Sequence, residues 1–260
     1  MQRTDVFFIS ASIDDGDDES GSSTPDLTGL DIEIGNGVVL DIFGYLRFPL
    51  TTVYKNATID AATLTVKAYT ACADSWDPII HIEDTNNSVA FGTTEDLSAR
   101  SWYGTPVTWS SGAWTQNTYY TSPSLVTQID YVTGLNGWLP GNYVTLKIDS
   151  TNILKDEDER KWYSWDYDNA NATTYRAYLI IQHTHACNPP NSGTWIIDSA
   201  SGTCVLARDT NYDGDLSIED GETLDIEGFN LGKLNNIYIS GSNLYGFSII
   251  SKVGGSIVLD

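Results

Sequence analysis

The chain reads as all-β: a jelly-roll-like β-sandwich followed by a small β-solenoid or β-roll domain. Three observations predict this. Its 260 residues hold 15 Tyr, 8 Trp and 22 Gly but a single Met, so strand-forming residues dominate and long helix-forming runs are absent. Short alternating runs recur along most of its length, separated by Gly, Asn, Asp and Pro turns. Towards the C-terminus, apolar pairs two residues apart repeat at Leu216 and Ile218, Leu224 and Ile226, Ile237 and Ile239, and Ile257 and Leu259, a pattern that resembles successive rungs of a coil.

Taken in order, residues 1–13 alternate into a first strand. DDGDDESGSSTPD (Asp14 to Asp26) reads as a polar, flexible loop whose acids Asp14, Asp15, Asp17, Asp18 and Glu19 repel one another and stay mobile. IEIGNGVVLDIFGYLRFPL (Ile32 to Leu50) carries two strands about an Asn-Gly turn. ATLTVKAY, PIIHIE, PVTWSS, NYVTLKID and RAYLIIQHT supply further strands. One helix is expected, in SPSLVTQIDYVTGL (Ser122 to Leu135), with a Ser cap ahead of Leu125, Ile129, Tyr131 and Val132 at helical spacing. KDEDERKW (Lys155 to Trp162) reads as a solvated loop whose charges pair locally. HACNPPNSG, with its two prolines, marks a boundary, so residues 1–184 form the sandwich, 185–193 a linker and 194–260 a small assembly domain.

A family resemblance rests on motif order. LRFPL (Leu46 to Leu50), ATIDAATLTVKAY (Ala57 to Tyr69), VTWSS (Val107 to Ser111), Gly137-Trp138 with Gly141-Asn142, and the run from Trp162 to Thr184 follow one another as in the DNRLRE family. That family comprises disaggregatase-related, carbohydrate-binding-module-like β-sandwich domains. The resemblance covers roughly residues 4–184 and implies a sandwich and a surface location, not a substrate. The motif that names the family is not kept intact, since LRFPL stands in its place.

Charge narrows the partners. Thirteen Lys and Arg against 35 Asp and Glu give a net charge of -22, which repels a phosphate backbone over most of the surface and argues against nucleic acid. No apolar run approaches a membrane span, so no membrane insertion is expected, and VFFISASI (Val6 to Ile13) is too short and lacks the flanks of a signal peptide. Of the three cysteines, Cys72 reads as a buried thiol, while Cys187 and Cys204 could close a disulfide across a short loop.

The segment DTNYDGDLSIED (Asp209 to Asp220) has the acid and amide spacing of a calcium loop. Its flanks are strand-like and no second copy exists, so neither an EF-hand nor a dockerin fits. Two readings stay open: Asp209, Asn211, Asp213 and Asp215, with Asp220, converge on one calcium ion, or the segment is a hydrated acidic turn. Calcium is the cofactor considered; no organic cofactor is expected. His183, His185 and Cys187 alternate at the end of the last sandwich strand, a spacing that could bind a transition metal but more simply marks a strand end with exposed imidazoles.

No nucleophile elbow, phosphate loop or zinc-protease motif is present, and a non-catalytic protein is expected. Aromatic residues are the better clue, because sugar rings stack on exposed Trp and Tyr faces. Trp102, Tyr103, Trp114, Tyr120, Trp162 and Trp165 are the candidate glycan contacts, and Trp109 and Trp138 are assigned to the core. The expected function is a structural or adhesion component, foremost a virion capsid-decoration or fibre protein at the virion surface that pairs with itself through its C-terminal domain. The alternatives are a subunit of an extracellular bacterial or archaeal filament or cell-surface layer, pairing with neighbouring subunits, and a glycan-binding accessory module of a polysaccharide-active protein.

Overall fold

The computed structural model describes residues 2–36, 41–55, 57–73, 77–149, 159–168 and 174–184, followed by 195–197, 203–205, 210–211, 213–218, 223–225, 231–232, 236–239 and 256–259. The chain is all-β apart from one α-helix and three short 3-10 turns among these residues. It divides into two compact units: Thr4–His183, and Met1–Arg3 with Thr184–Asp260.

The larger unit is built on β1 (Gln2–Phe8), β2 (Asp15–Glu19), β3 (Asp31–Asn36), β4 (Asp41–Pro49), β5 (Thr58–Lys67), β6 (Ile79–Ile82), β7 (Val107–Thr108), β8 (Tyr119–Thr121), helix α1 (Val126–Gly134), β9 (Tyr143–Asp149), β10 (Arg160–Tyr163) and β11 (Tyr178–Thr184). One sheet runs β1-β11-β5-β8; the other runs β10-β3-β4-β9-β6-β7, with β2 also paired to β4. The alternation that the sequence displays decides which side of each strand is buried. On β9, Val144, Leu146 and Ile148 enter the main core while Thr145, Lys147 and Asp149 point the other way; on β11, Leu179 and Ile181 enter it and Tyr178 stays outside.

The core is filled by three fully buried indoles, Trp109, Trp138 and Trp162. Trp138 Nε1 donates to the Val53 carbonyl at 2.8 Å and Trp109 Nε1 to that of Thr121 at 3.1 Å, so two of the rings bring their polar atom in already paired. Gly44 makes room for the third: a Cβ there would stand 2.5 Å from Cη2 of Trp162.

Three local expectations are corrected. Asp14 to Glu19 is no mobile loop, because Asp15–Glu19 form β2, in register with β4 from Asp15 opposite Leu46 to Glu19 opposite Ile42; the backbone pairing and buried donors hold acids that would otherwise repel. The charged run before Trp162 ends as β10, where Arg160 is wholly buried and donates to Ser111 Oγ at 2.6 Å and the Gly112 carbonyl at 2.5 Å. Lys161 does pair locally, with Glu159 at 3.1 Å, and also across the sheet with Glu33 at 2.7 Å. The N-cap of α1 is Leu125 and not a Ser: the Ser122 hydroxyl accepts from the Leu64 amide and donates to the Pro123 carbonyl, Ser124 Oγ accepts at 3.4 Å from the amide of Val126, and the helix begins at Val126.

The smaller unit pairs its strands in parallel. β12 (Trp195–Ile197), β15 (Leu216–Ile218), β18 (Asn236–Ile239) and β19 (Ser256–Leu259) form one ladder, β13 (Thr203–Val205) and β16 (Thr223–Asp225) a second, and β14 (Thr210–Asn211) and β17 (Leu231–Gly232) a third. Trp195 stands opposite Leu216, Leu216 opposite Ile237, and Ile237 opposite Ile257. Three of the apolar pairs seen in the sequence, Leu216 with Ile218, Ile237 with Ile239 and Ile257 with Leu259, are thus register neighbours with a repeat of about 20 residues. Leu224 instead stands in the second ladder opposite Cys204, and Ile226 lies outside the described residues. Leu216 and Ile218 are buried and Tyr238 is exposed.

Candidate recognition surface

The outer face of the four-stranded sheet is aromatic. Its strands point Phe8, Tyr178, Lys67 and Tyr119 outward in a row that crosses β1, β11, β5 and β8. Phe8 and Tyr178 have ring centroids 5.6 Å apart, Tyr178 and Tyr119 6.5 Å, and Lys67 stands directly opposite Tyr119. A backbone bridge from Ala68 to Trp162 carries this face onto β10. There Tyr163 meets Tyr69, Tyr167 and Tyr175 at 5.1, 4.3 and 4.7 Å. Tyr119 and Tyr167 remain 46% and 39% exposed while Tyr163 is buried beneath its neighbours and Phe8, Lys67, Tyr175 and Tyr178 are half-buried, so the face is open at Tyr119 and Tyr167.

The hydroxyls and the lysine give the surface its polarity. Tyr119 donates to the Thr174 carbonyl at 2.5 Å and Tyr163 to Asn117 Oδ1 at 2.7 Å. Burial and the neighbouring phenols hold both groups above the ordinary tyrosine range, so they stay neutral donors. Lys67 Nζ lies 4.1 Å from the centroid of Tyr175, 5.2 Å from that of Tyr119 and 5.9 Å from that of Tyr163, within reach of all three ring quadrupoles. Flat apolar faces edged by phenol oxygens that can still accept, with one cation among them, suit a ligand that is itself amphipathic, such as a sugar ring.

The outer face of the seven-stranded sheet is closed. Phe91, Leu97 and Trp102, from the segment after β6, pack on Leu27, Phe43 and Tyr45. Arg100 pins that cover by a two-point bond to Glu95, at 2.9 Å each, and a contact of 3.2 Å to Glu83; the guanidinium in turn holds the Glu95 carboxyl below its usual range. Beneath and beside it lie ionic groups: Asp14 is bonded to Arg47, and Asp149 accepts from Lys147 at 3.1 Å with His81 3.5 Å away.

Strand β2 carries the acids inward on both of its sides. Asp15 Oδ2 accepts from the Trp165 amide at 2.7 Å, Asp17 Oδ2 from the Glu33 amide at 2.9 Å, and Asp18 Oδ2 from the Leu97 amide at 3.3 Å. Burial, only partly offset by these bonds, raises the Asp15 carboxyl well above the usual range, Asp17 to about 7 and Asp18 to about 6. Asp18 Oδ1 and the Tyr45 hydroxyl are buried without a hydrogen-bond partner. Among the described residues, no three His, Cys, Asp or Glu side chains converge as a metal site.

The aromatic residues singled out in the sequence are scattered by this architecture. Trp114 and Trp162 are 2% and 0% exposed, because their strand positions face the core, and they cannot offer a face to a sugar. Tyr120 stacks on Trp114 at 4.7 Å and its hydroxyl accepts from the Thr115 amide. Tyr103 stacks on Tyr131 at 3.7 Å. Trp102 belongs to the cover just described, and Trp165 lies under Arg176 at 4.9 Å. No two of these four partly buried rings form one surface. Trp109 and Trp138 are core, as the sequence suggests, and Cys72 is buried against the same core.

Of the calcium-loop residues, Asp213 is exposed and Asp215 half-buried. Asp209, Asp220 and the side chain of Asn211 lie outside the described residues, as do Cys187, the side chain of Cys204, and His185. His183 is not an exposed imidazole: it is 2% exposed, with Nε2 3.0 Å from Asp5 Oδ2.

Comparison with known proteins adds little to this geometry. No family model matches the chain, and no curated protein matches it. Among solved structures, the "Crystal structure of Agl-KA catalytic domain" aligns with a TM-score of 0.24 and 10% identity, over 98% of this chain and 44% of that one. The chain thus spans less than half the length of that structure, and a similarity this low carries no argument about activity.

Proposed function

We propose that this is a non-catalytic adhesion protein whose sandwich recognises glycan through the tyrosine face of its four-stranded sheet. The observation that carries the reading is the outward row of Phe8, Tyr178, Lys67 and Tyr119, half-buried except for the exposed Tyr119 and continued past the buried Tyr163 to the exposed Tyr167. A sandwich does not need such a face for its own stability, since the apolar residues that hold it together lie on the opposite side of the same strands. Tyrosine supplies broad contact area at low conformational cost, which is what a binding surface requires.

The second unit supports an assembly role in the same reading. Three parallel ladders that repeat about every 20 residues are what a β-solenoid presents, and such coils grow by stacking like on like. A virion fibre or decoration protein at the virion surface is the setting we favour, with an extracellular filament subunit as the alternative. The test is a glycan array probed with the wild-type protein and with Tyr119→Ala. Saturable binding by the wild type that the variant loses supports the reading; a wild type that binds no glycan overturns it.

A further inference from the structure

We infer that the tyrosine face takes a glycan bearing a single carboxylate, and that Lys67 is the group that reads it; this rests on the glycan reading above and names its substrate class. The described lysines differ sharply in how they are held. Lys147 and Lys161 are paired with carboxylates at 3.1 and 2.7 Å, and Lys55 donates to Asn136 Oδ1 at 3.0 Å. Lys147 also stands over rings, 4.9 Å from Phe43 and 5.2 Å from Trp102; what sets Lys67 apart is that its rings, Tyr175 at 4.1 Å and Tyr119 at 5.2 Å, come with no oxygen acceptor among the described residues.

An ammonium with no carboxylate partner among the described residues is conspicuous in a chain of net charge -22. Rings stabilise the cation from the side but satisfy none of its three N–H donors, so the hydrogen-bonding capacity points to an acceptor that the described residues do not supply. A hexuronate fits both halves of the surface: its C–H face lies on a phenol ring and its carboxylate stands at the ring edge, where the flexible lysine reaches it as a point charge. The overall negative field disfavours a densely charged polymer. The geometry therefore points to isolated acidic sugars in an otherwise neutral glycan.

Calorimetric titration of the whole protein with glucuronosyl-glucose and with its methyl ester tests this, because the two sugars share every ring face and differ in charge. The wild type is expected to bind the acid about 3- to 10-fold more tightly than the ester, in line with one partly exposed charge-assisted bond. The ratio shrinks in about 0.5 M salt. Lys67→Gln, at a half-buried position whose side chain makes no hydrogen bond among the described residues, is expected to stay folded by circular dichroism and to bind both sugars equally, at the level of the ester. Equal binding of acid and ester by the wild type overturns the role of Lys67 and leaves the glycan reading standing. Failure to bind either sugar likewise overturns this substrate class, and the glycan array then decides whether the glycan reading stands.

Discussion

The two outer faces of the sandwich carry opposite chemistry. On the four-stranded sheet, phenol rings and one half-buried lysine face outward, and Tyr119 and Tyr167 are left exposed. On the seven-stranded sheet, a long segment folds over the strands and buries ionic groups beneath it, Asp14 with Arg47 and Asp18 beside Tyr45. The same alternation rule produced both faces. What separates them is where the charges went: on the closed face each ion was made part of the structure, whereas on the open face Lys67 was left able to pair with something else.

This contrast predicts that one kind of substitution has very different costs on the two sides. The largest effect is expected for Arg47→Ala, which leaves Asp14 buried without its cation and also removes a bond to the Ser88 carbonyl and the stacking of the guanidinium 3.5 Å over Tyr143. Breaking a buried pair from one side costs about 3 to 5 kcal/mol, readable as a lowered denaturant midpoint. Lys67→Ala, on the open face, is expected to shift that midpoint by less than about 1 kcal/mol. Similar losses for the two variants would erase the distinction.

Next in size is Gly44→Ala. Its new methyl meets Trp162 in the core, and overpacking of this kind costs about 1 to 3 kcal/mol. An unchanged melting temperature would show that the indole can shift.

The buried acids of β2 should also give the protein a pH dependence. Asp17 at about 7 and Asp18 at about 6, and Asp15 as well, hold their protons in the folded chain to higher pH than they would when unfolded. Between the unfolded value near 4 and these folded values the native state binds more protons, so stability is highest on the acid side and falls as pH rises towards 7. Denaturation midpoints taken from pH 4 to 8 should decline across that window, and Asp17→Asn should flatten the decline. A rise with pH would contradict the burial of these acids. The smallest effect is expected for Tyr45→Phe: the hydroxyl it removes has no partner, so stability should change by no more than about 1 kcal/mol, and in the favourable direction.

The sequence made one of these faces easier to read than the other. The strands around the Asn-Gly turn, the alternation of NYVTLKID and RAYLIIQHT, and the core positions of Trp109 and Trp138 were all legible, because period-two patterning reports burial directly. The acids of β2 were not. Their neighbours in sequence are other acids, and what tames them comes from far away: the amides of Glu33, Leu97 and Trp165. The open face was hidden for a related reason. Density of aromatics along the chain drew attention to Trp114 and Trp162, which the strand parity turns inward, while Phe8, Lys67 and Tyr178 are far apart in sequence and meet only once four strands are aligned. Two of its members, Tyr119 and Tyr167, sat inside the aromatic runs, yet nothing local separated them from rings bound for the core.

Hydroxyl-radical footprinting tests the central claim most directly, with the whole protein saturated by the strongest ligand from the glycan array. Protection of Tyr119, Tyr167 and Tyr178, with Trp102 unchanged, is the predicted result. Protection at Trp102 and the cover over the seven-stranded sheet, with the three tyrosines unchanged, would place recognition on the opposite face and contradict the account.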